Sequence, residues 1–141
     1  MTAPLYNMEI LRLAASVADR PRLANPDATA ERRSPTCGSR VIVDLTLDSE
    51  GRVAGFGQEV RACALGQASA ALLGQHIVGS DVHEITHAAD ALRAFLSNAS
   101  EDAGTWPGLD VFAPARPHSA RHASILLAFD AAAEAAASAS S

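Results

Sequence analysis

The chain of 141 residues contains no lysine: all 11 basic side chains are arginines, so no primary side-chain amine is present for Schiff-base chemistry. Aromatic residues are also scarce, at 4%, and much of the 48% apolar share is alanine. The expected core is therefore aliphatic and finely divided, with helix favoured over sheet. A basic excess is missing too. The formal net charge of −5 and a pI near 5.4 argue against a nucleic-acid partner, which would require a cationic face to neutralise phosphates. No run approaches the roughly 18 apolar residues of a membrane span, and the N-terminus lacks a basic segment followed by a continuous apolar stretch. These absences lead us to expect a cytoplasmic protein with neither membrane nor nucleic acid as partner. Only two cysteines occur, Cys37 and Cys63. In a cytosolic chain such a pair points to buried thiols or metal ligands rather than a structural disulfide. The mass of 14.6 kDa fits one domain, expected over residues 1–137, followed by a disordered Ser/Ala tail at 138–141.

The residues that are present sort into elements. From Leu5 to Val17, the residues Leu5, Met8, Leu11 and Ala15 share one side of a helix, which Ile10, Leu13 and Val17 widen. Pro21, Asn25-Pro26-Asp27 and the polar run from Ala28 to Ser34 predict a long connection ending at Pro35-Thr36-Cys37-Gly38, a kind of segment that often carries function. Arg40 to Asp48 alternates, with Val41, Val43, Leu45 and Leu47 on one face and Arg40, Ile42, Asp44 and Thr46 on the other; it is the clearest strand. Ser49-Glu50-Gly51 supplies a turn, and Arg52 to Arg61 returns as an antiparallel partner carrying Val53, Phe56 and Val60. Gly55 and Gly57 there predict an irregularity or a close backbone approach. A small-residue helix follows from Ala64 to Gln75. Gly79-Ser80-Asp81 then caps another from Val82 to Leu96, with Val82, Ile85, Ala89, Leu92 and Phe95 or Leu96 as its buried stripe. Asn98 to Pro117 is polar and proline-bearing around Trp106-Pro107-Gly108, and the last helix runs from about Ser119 toward Ala137. The fold class is α+β: a small antiparallel β-sheet with helices packed on one face.

Cys37 lies in a Pro-Thr-Cys-Gly-Ser loop before a strand, and Cys63 stands at the start of a helix, in Arg-Ala-Cys-Ala-Leu-Gly-Gln-Ala-Ser-Ala. A helix N-terminus offers free N–H groups and positive partial charge, conditions that favour the thiolate needed for metal and sulfur chemistry. Two cysteines at an arbitrary spacing are more often inert buried residues than ligands. Their surroundings shift that balance. Pro35-Thr36-Cys37-Gly38, an alternating strand, the Gly51 turn, a second strand and Cys63-Ala64-Leu65-Gly66-Gln67-Ala68-Ser69-Ala70 together resemble the scaffold family of iron–sulfur cluster assembly: IscU, SufU and the N-terminal domain of NifU. The likeness extends upstream to Tyr6, Ile10, Leu11 and Pro21-Arg22, and downstream to Ala120-Arg121 and the stretch from Ile125 to Phe129.

The resemblance implies a scaffold or sulfur acceptor that meets a cysteine desulfurase, holds iron, a transient 2Fe-2S cluster or zinc, and hands its cargo to apo iron–sulfur proteins. It implies metal binding by Cys37 and Cys63, sulfur acceptance by the same two residues, and no catalysis beyond a zinc-dependent sulfur transfer. Family members complete the site with a third cysteine and an aspartate or histidine. Here the aspartate position is Ser39, and the third cysteine falls at Ser124 in a SufU-type alignment or at Ala123 in an IscU-type one. The long spacing from Cys63 to Ser124 and the lack of a Leu-Pro-Pro-Val-Lys segment favour the SufU-like form. Four-coordinate zinc wants four soft or borderline ligands and Fe–S clusters want thiolates, so two cysteines leave the set incomplete and the metal can be absent altogether. His122 is the nearest substitute ligand and His118 the next, while Arg121 matches an arginine in SufU-type proteins that can steady an anionic sulfur species. A degenerate member that binds and regulates a desulfurase without building clusters is the alternative. A third reading comes from a different class: His83-Glu84-Ile85-Thr86-His87 matches the His-Glu-x-x-His pattern of zinc hydrolases, although an exposed helix face explains the same residues.

Overall fold

The computed structural model describes residues 7–16, 19–35 and 38–141; Leu5, Tyr6, Val17, Thr36 and Cys37, all used in the sequence reading, lie outside the described residues. Its elements in chain order are α1 (Met8–Ala15), β1 (Ala28–Arg33), β2 (Arg40–Leu47), β3 (Val53–Arg61), α2 (Ala64–His76), α3 (Val82–Leu96) and α4 (His122–Ser140), with 3₁₀ turns at Leu109–Ala115 and Ser119–Arg121. The strands form one antiparallel sheet in the order β1-β2-β3, and α2 and α4 lie against it, flanked by α1 and α3. This is the expected α+β architecture.

The central strand β2 explains the layering. Val41, Val43 and Leu45 point into the helical core, where they are almost fully buried. On the opposite face Asp44 is completely buried, which a carboxylate tolerates only when it is well bonded. Arg22 Nε and Nη2 donate to it at 2.6 and 3.1 Å, the Thr29 hydroxyl at 2.6 Å and the Leu23 amide at 3.0 Å. The chain before β1 is thereby strapped across the outer face of the sheet. Gly57, opposite Asp44 on β3, makes room for the strap: a β-carbon there would lie 2.7 Å from the Pro21 carbonyl oxygen. The expected irregularity near Gly55 is a register shift between Thr46 and Leu47.

Three expectations are corrected. The polar run from Ala28 to Ser34 is not a loop: its first six residues form the edge strand β1, with Ala28 and Ala30 buried, Thr29, Glu31, Arg32 and Arg33 exposed, and Arg32 paired with Glu134 of α4. Low strand propensity hid it, since alanine, glutamate and arginine are poor strand formers that an edge position tolerates. In α1 the buried residue is Ile10, with Leu13 packed beside it, whereas Met8 and Leu11 are exposed, because the helix leans on α2 through the side expected only to widen its stripe. Lastly, α4 continues to Ser140 through the segment expected as a disordered tail, and the Ser140 hydroxyl donates to the Ala136 carbonyl.

The helix α3 matches its expected bounds. Asp81 accepts from the Glu84 amide at 2.9 Å and Glu84 accepts in return from the Asp81 amide, a reciprocal cap that fixes its start. By length and composition alone α4 could cross a membrane, but here it is a core helix, packed against β1, β2, α2 and α3. The polar-looking stretch after α3 is also anchored. Trp106 is buried, donates its indole N–H to the Leu72 carbonyl at 3.0 Å and meets Phe129 edge-on at 5.5 Å. Burying a ring of this size contributes about 2–3 kcal/mol. Arg116 lies 4.6 Å over the Phe95 ring and donates to the carbonyls of Phe95 and Ser100.

Burial works against the charged form of Asp44, but the Arg22 pair, the Thr29 hydroxyl and the Leu23 amide outweigh it and hold the carboxyl below its usual range. Its stabilisation is therefore present in full above the ordinary aspartate value near ~3.9 and is lost as pH falls below it. We predict that Asp44→Asn costs about 3 kcal/mol at neutral pH, and that the gap to wild type closes on acidification when both are unfolded in urea. Glu31 and Glu101, held low by Arg33 and Arg116, are common to both proteins and cancel. A gap that persists at the lowest pH would contradict this account.

Candidate sulfur and metal centre

Cys63 is the N-cap of α2, with extended backbone (φ −67°, ψ 174°) and a half-exposed side chain. Its Sγ lies 3.2 Å from Ser124 Oγ, and Ser124 Oγ lies 3.3 Å from Ser39 Oγ. Both serines are buried, at 3% and 4% exposure, so this is a short polar chain leading from a half-buried thiol to two buried hydroxyls. Of the two positions that the family resemblance leaves open for a third cysteine, Ser124 faces Cys63, whereas Ala123 is exposed.

The first turn of α4 is held at several points, which is why Ser124 reaches the thiol. Ser69 Oγ, inside α2, donates to the Ile125 carbonyl at 2.6 Å. His122 Nε2 lies 2.9 Å from the Ala115 carbonyl oxygen, which requires the proton to be on Nε2 and leaves Nδ1 as the only ring nitrogen able to face a metal. Gly66 supplies the space: a β-carbon there would stand 2.9 Å from Ser124 Oγ and 3.2 Å from the Ser124 carbonyl oxygen. The sequence reading assigns no role to Gly66 or Ser69. The available signal was a glycine inside a helix, a choice that costs about 1 kcal/mol against alanine and so asks for a packing reason.

Other expected residues lie apart from this cluster. His118 and Arg121 are exposed in and before the turn that leads into α4. His83 and His87 are exposed on α3, and the Glu84 carboxylate is committed to the helix cap, 3.5 Å from Arg52. Among the described residues no third ligand joins them, and the hydrolase reading has no site.

The donor chemistry decides what the centre can hold. Cys63 offers one thiolate, but the two neighbouring hydroxyls are weak ligands for zinc or iron. Among the described residues no three His, Cys, Asp or Glu side chains gather. With two cysteines in the whole sequence, this set does not fit a closed zinc site or a four-thiolate cluster site.

No family model and no curated protein matches the sequence; the likeness is to solved structures. A nitrogen-fixing NifU-like protein (N-terminal) from Brucella abortus superposes with a TM-score of 0.90 at 37% identity, covering 96% of this chain and 94% of that one. A protein from the thermophile Fervidobacterium islandicum AW-1, assigned as an iron–sulfur cluster assembly scaffold for the SUF system, superposes with a TM-score of 0.85 at 17% identity, covering 94% and 96%. The second likeness is one of fold. The first shows the family: this chain belongs to the NifU-like group that includes IscU, SufU and the N-terminal domain of NifU.

Because the described donors do not close around a metal, we predict that treating the purified protein with a strong chelator leaves its thermal midpoint unchanged. A fall of many degrees, reversed by added zinc, would show that a structural metal completes the fold.

Proposed function

We propose that the protein serves iron–sulfur cluster assembly as a scaffold-type sulfur acceptor in the cytoplasm. A cysteine desulfurase delivers sulfur to Cys63, Cys37 is the second working thiol, and iron or a 2Fe-2S cluster is the cargo passed to apo iron–sulfur proteins. The observation that carries this reading is a half-exposed thiol at a helix N-terminus, in a chain 37% identical to a NifU-like domain over nearly its whole length. A helix N-terminus favours negative charge, and sulfur acceptance needs an accessible, nucleophilic sulfur. The sulfur of Cys63 attacks the outer sulfur of the desulfurase persulfide. The new S–S bond forms as the donor's S–S bond breaks, and the donor sulfur leaves with the electron pair and the proton that Cys63 gives up. The exchange is neutral in electrons, so it needs no external oxidant or reductant.

A second reading has its own observation. The Ser124 hydroxyl bonds to Cys63 and the Ser39 hydroxyl to Ser124, an arrangement that suits a family member no longer building clusters but still docking on a desulfurase and regulating it.

Anaerobic incubation with cysteine desulfurase and L-cysteine separates the two. We expect the Cys63 peptide to gain the mass of one sulfur atom, and Cys63→Ala to lose this uptake while keeping the fold by circular dichroism. Cys37→Ala should lose bound iron and labile sulfide. Binding to the desulfurase without sulfur on either cysteine would favour the regulator.

A further inference from the structure

We propose that Ser124, backed by Ser39, is the group that steadies negative charge on the Cys63 sulfur, taking by hydrogen bonding the role that a metal ion would otherwise fill. The inference rests on Cys63 as the sulfur acceptor and adds how this centre works without a closed ligand set.

The argument begins with donors and acceptors. A neutral thiol and a hydroxyl can each donate or accept, so either atom can be the donor in the Cys63–Ser124 contact and in the Ser124–Ser39 contact. Once the sulfur is a thiolate or a persulfide anion it can only accept. Ser124 must then donate its one hydroxyl proton to the sulfur, and its oxygen is free to accept from Ser39. Negative charge on Cys63 aligns both hydroxyls toward it. Because both serines are buried, this alignment takes place away from bulk water, where a hydrogen bond to an anion is strengthened.

Independent contacts hold the donor in place. The Ser69 bond to the Ile125 carbonyl and the His122 bond to the Ala115 carbonyl bracket Ser124 on α4, and the missing side chain of Gly66 lets its hydroxyl close on the thiol. An alanine at position 66 would gain helix propensity but would crowd Ala62, 2.6 Å from its β-carbon, as well as the Ser124 hydroxyl at 2.9 Å, so Gly66 is a packing requirement of this approach.

The test reads the Cys63 peptide by mass spectrometry in the full chain, with inorganic polysulfide as sulfur donor and with iodoacetamide as a probe of sulfur nucleophilicity. Ser124→Ala should slow both reactions at Cys63 by about tenfold, the loss of one hydrogen bond to an anion, and Gly66→Ala should follow it in direction. Ser124→Thr keeps the hydroxyl and should recover most of the rate. Unchanged thermal midpoints and equal labelling of the unfolded proteins would assign the effect to the site. Wild-type rates in Ser124→Ala, or no recovery in a folded Ser124→Thr, would overturn the proposal. If Ser124→Ala fails to fold, Ser39→Ala, which removes the backing hydroxyl, carries the test, with a smaller slowing expected and wild-type rates counting against the proposal. Polysulfide and iodoacetamide bypass the desulfurase, so a wild-type protein that accepts no sulfur from the enzyme would defeat the functional reading alone and leave this one measurable.

Discussion

The close approach of α2 and α4 is the constraint on which the rest of the structure depends. Two helices approach closely only where their facing residues are small, and here Gly66 and Ser69 of α2 meet Ser124 and the Ile125 carbonyl of α4, in helices whose buried positions are largely alanine. The alanine-rich composition is thus a packing requirement, since larger side chains would separate the helices by more than a hydrogen bond can bridge. It also fits a protein poor in aromatic residues, of whose few rings Trp106, Phe112, Phe129 and Phe95 are buried. The same proximity that fills the core brings a hydroxyl from the last helix to a thiol far away in sequence.

On the outer face of the sheet the organising group is a charge. Asp44 is held by a guanidinium, a hydroxyl and an amide from the chain before β1 and from β1 itself, and together they convert a connection rich in proline and polar residues into a fixed strap. Core packing and strap meet on β2, whose alternate residues serve the two faces. β2 is thereby fixed from both sides, and Ser39, which directly precedes it, is placed with it.

Much of this was legible in the sequence where pattern and chemistry agreed. The alternation from Arg40 onward, the turn at Gly51 and the cap at Asp81 each combine a periodic signal with a residue whose local hydrogen bonding is distinctive, and all three appear in the structure. The strand β1 lacked such agreement, because an edge strand that buries only two alanines carries almost no hydrophobic signature. The site was half legible. Cys63 could be found from its motif and its position before a helix, and the substitutions at Ser39 and Ser124 could be seen against the family. That Ser124 joins both the thiol and the Ser39 hydroxyl depends on packing across a long sequence separation, and no local pattern encodes it. The glycine that permits it reads, in isolation, as a weak point in a helix.

The stretch between α3 and α4 gains a different meaning from this geometry. Trp106 is tied to the backbone of α2, Arg116 to the end of α3, and Ala115 to the first residue of α4. The segment behaves as a strut of set length whose far end determines where the last helix begins. Loops usually absorb insertions and deletions with little consequence, yet a change of even one residue in this strut would turn α4 about its axis and carry Ser124 away from the thiol. Substitutions at its exposed positions leave the three anchors in place, whereas its length is coupled to the chemistry at the opposite end.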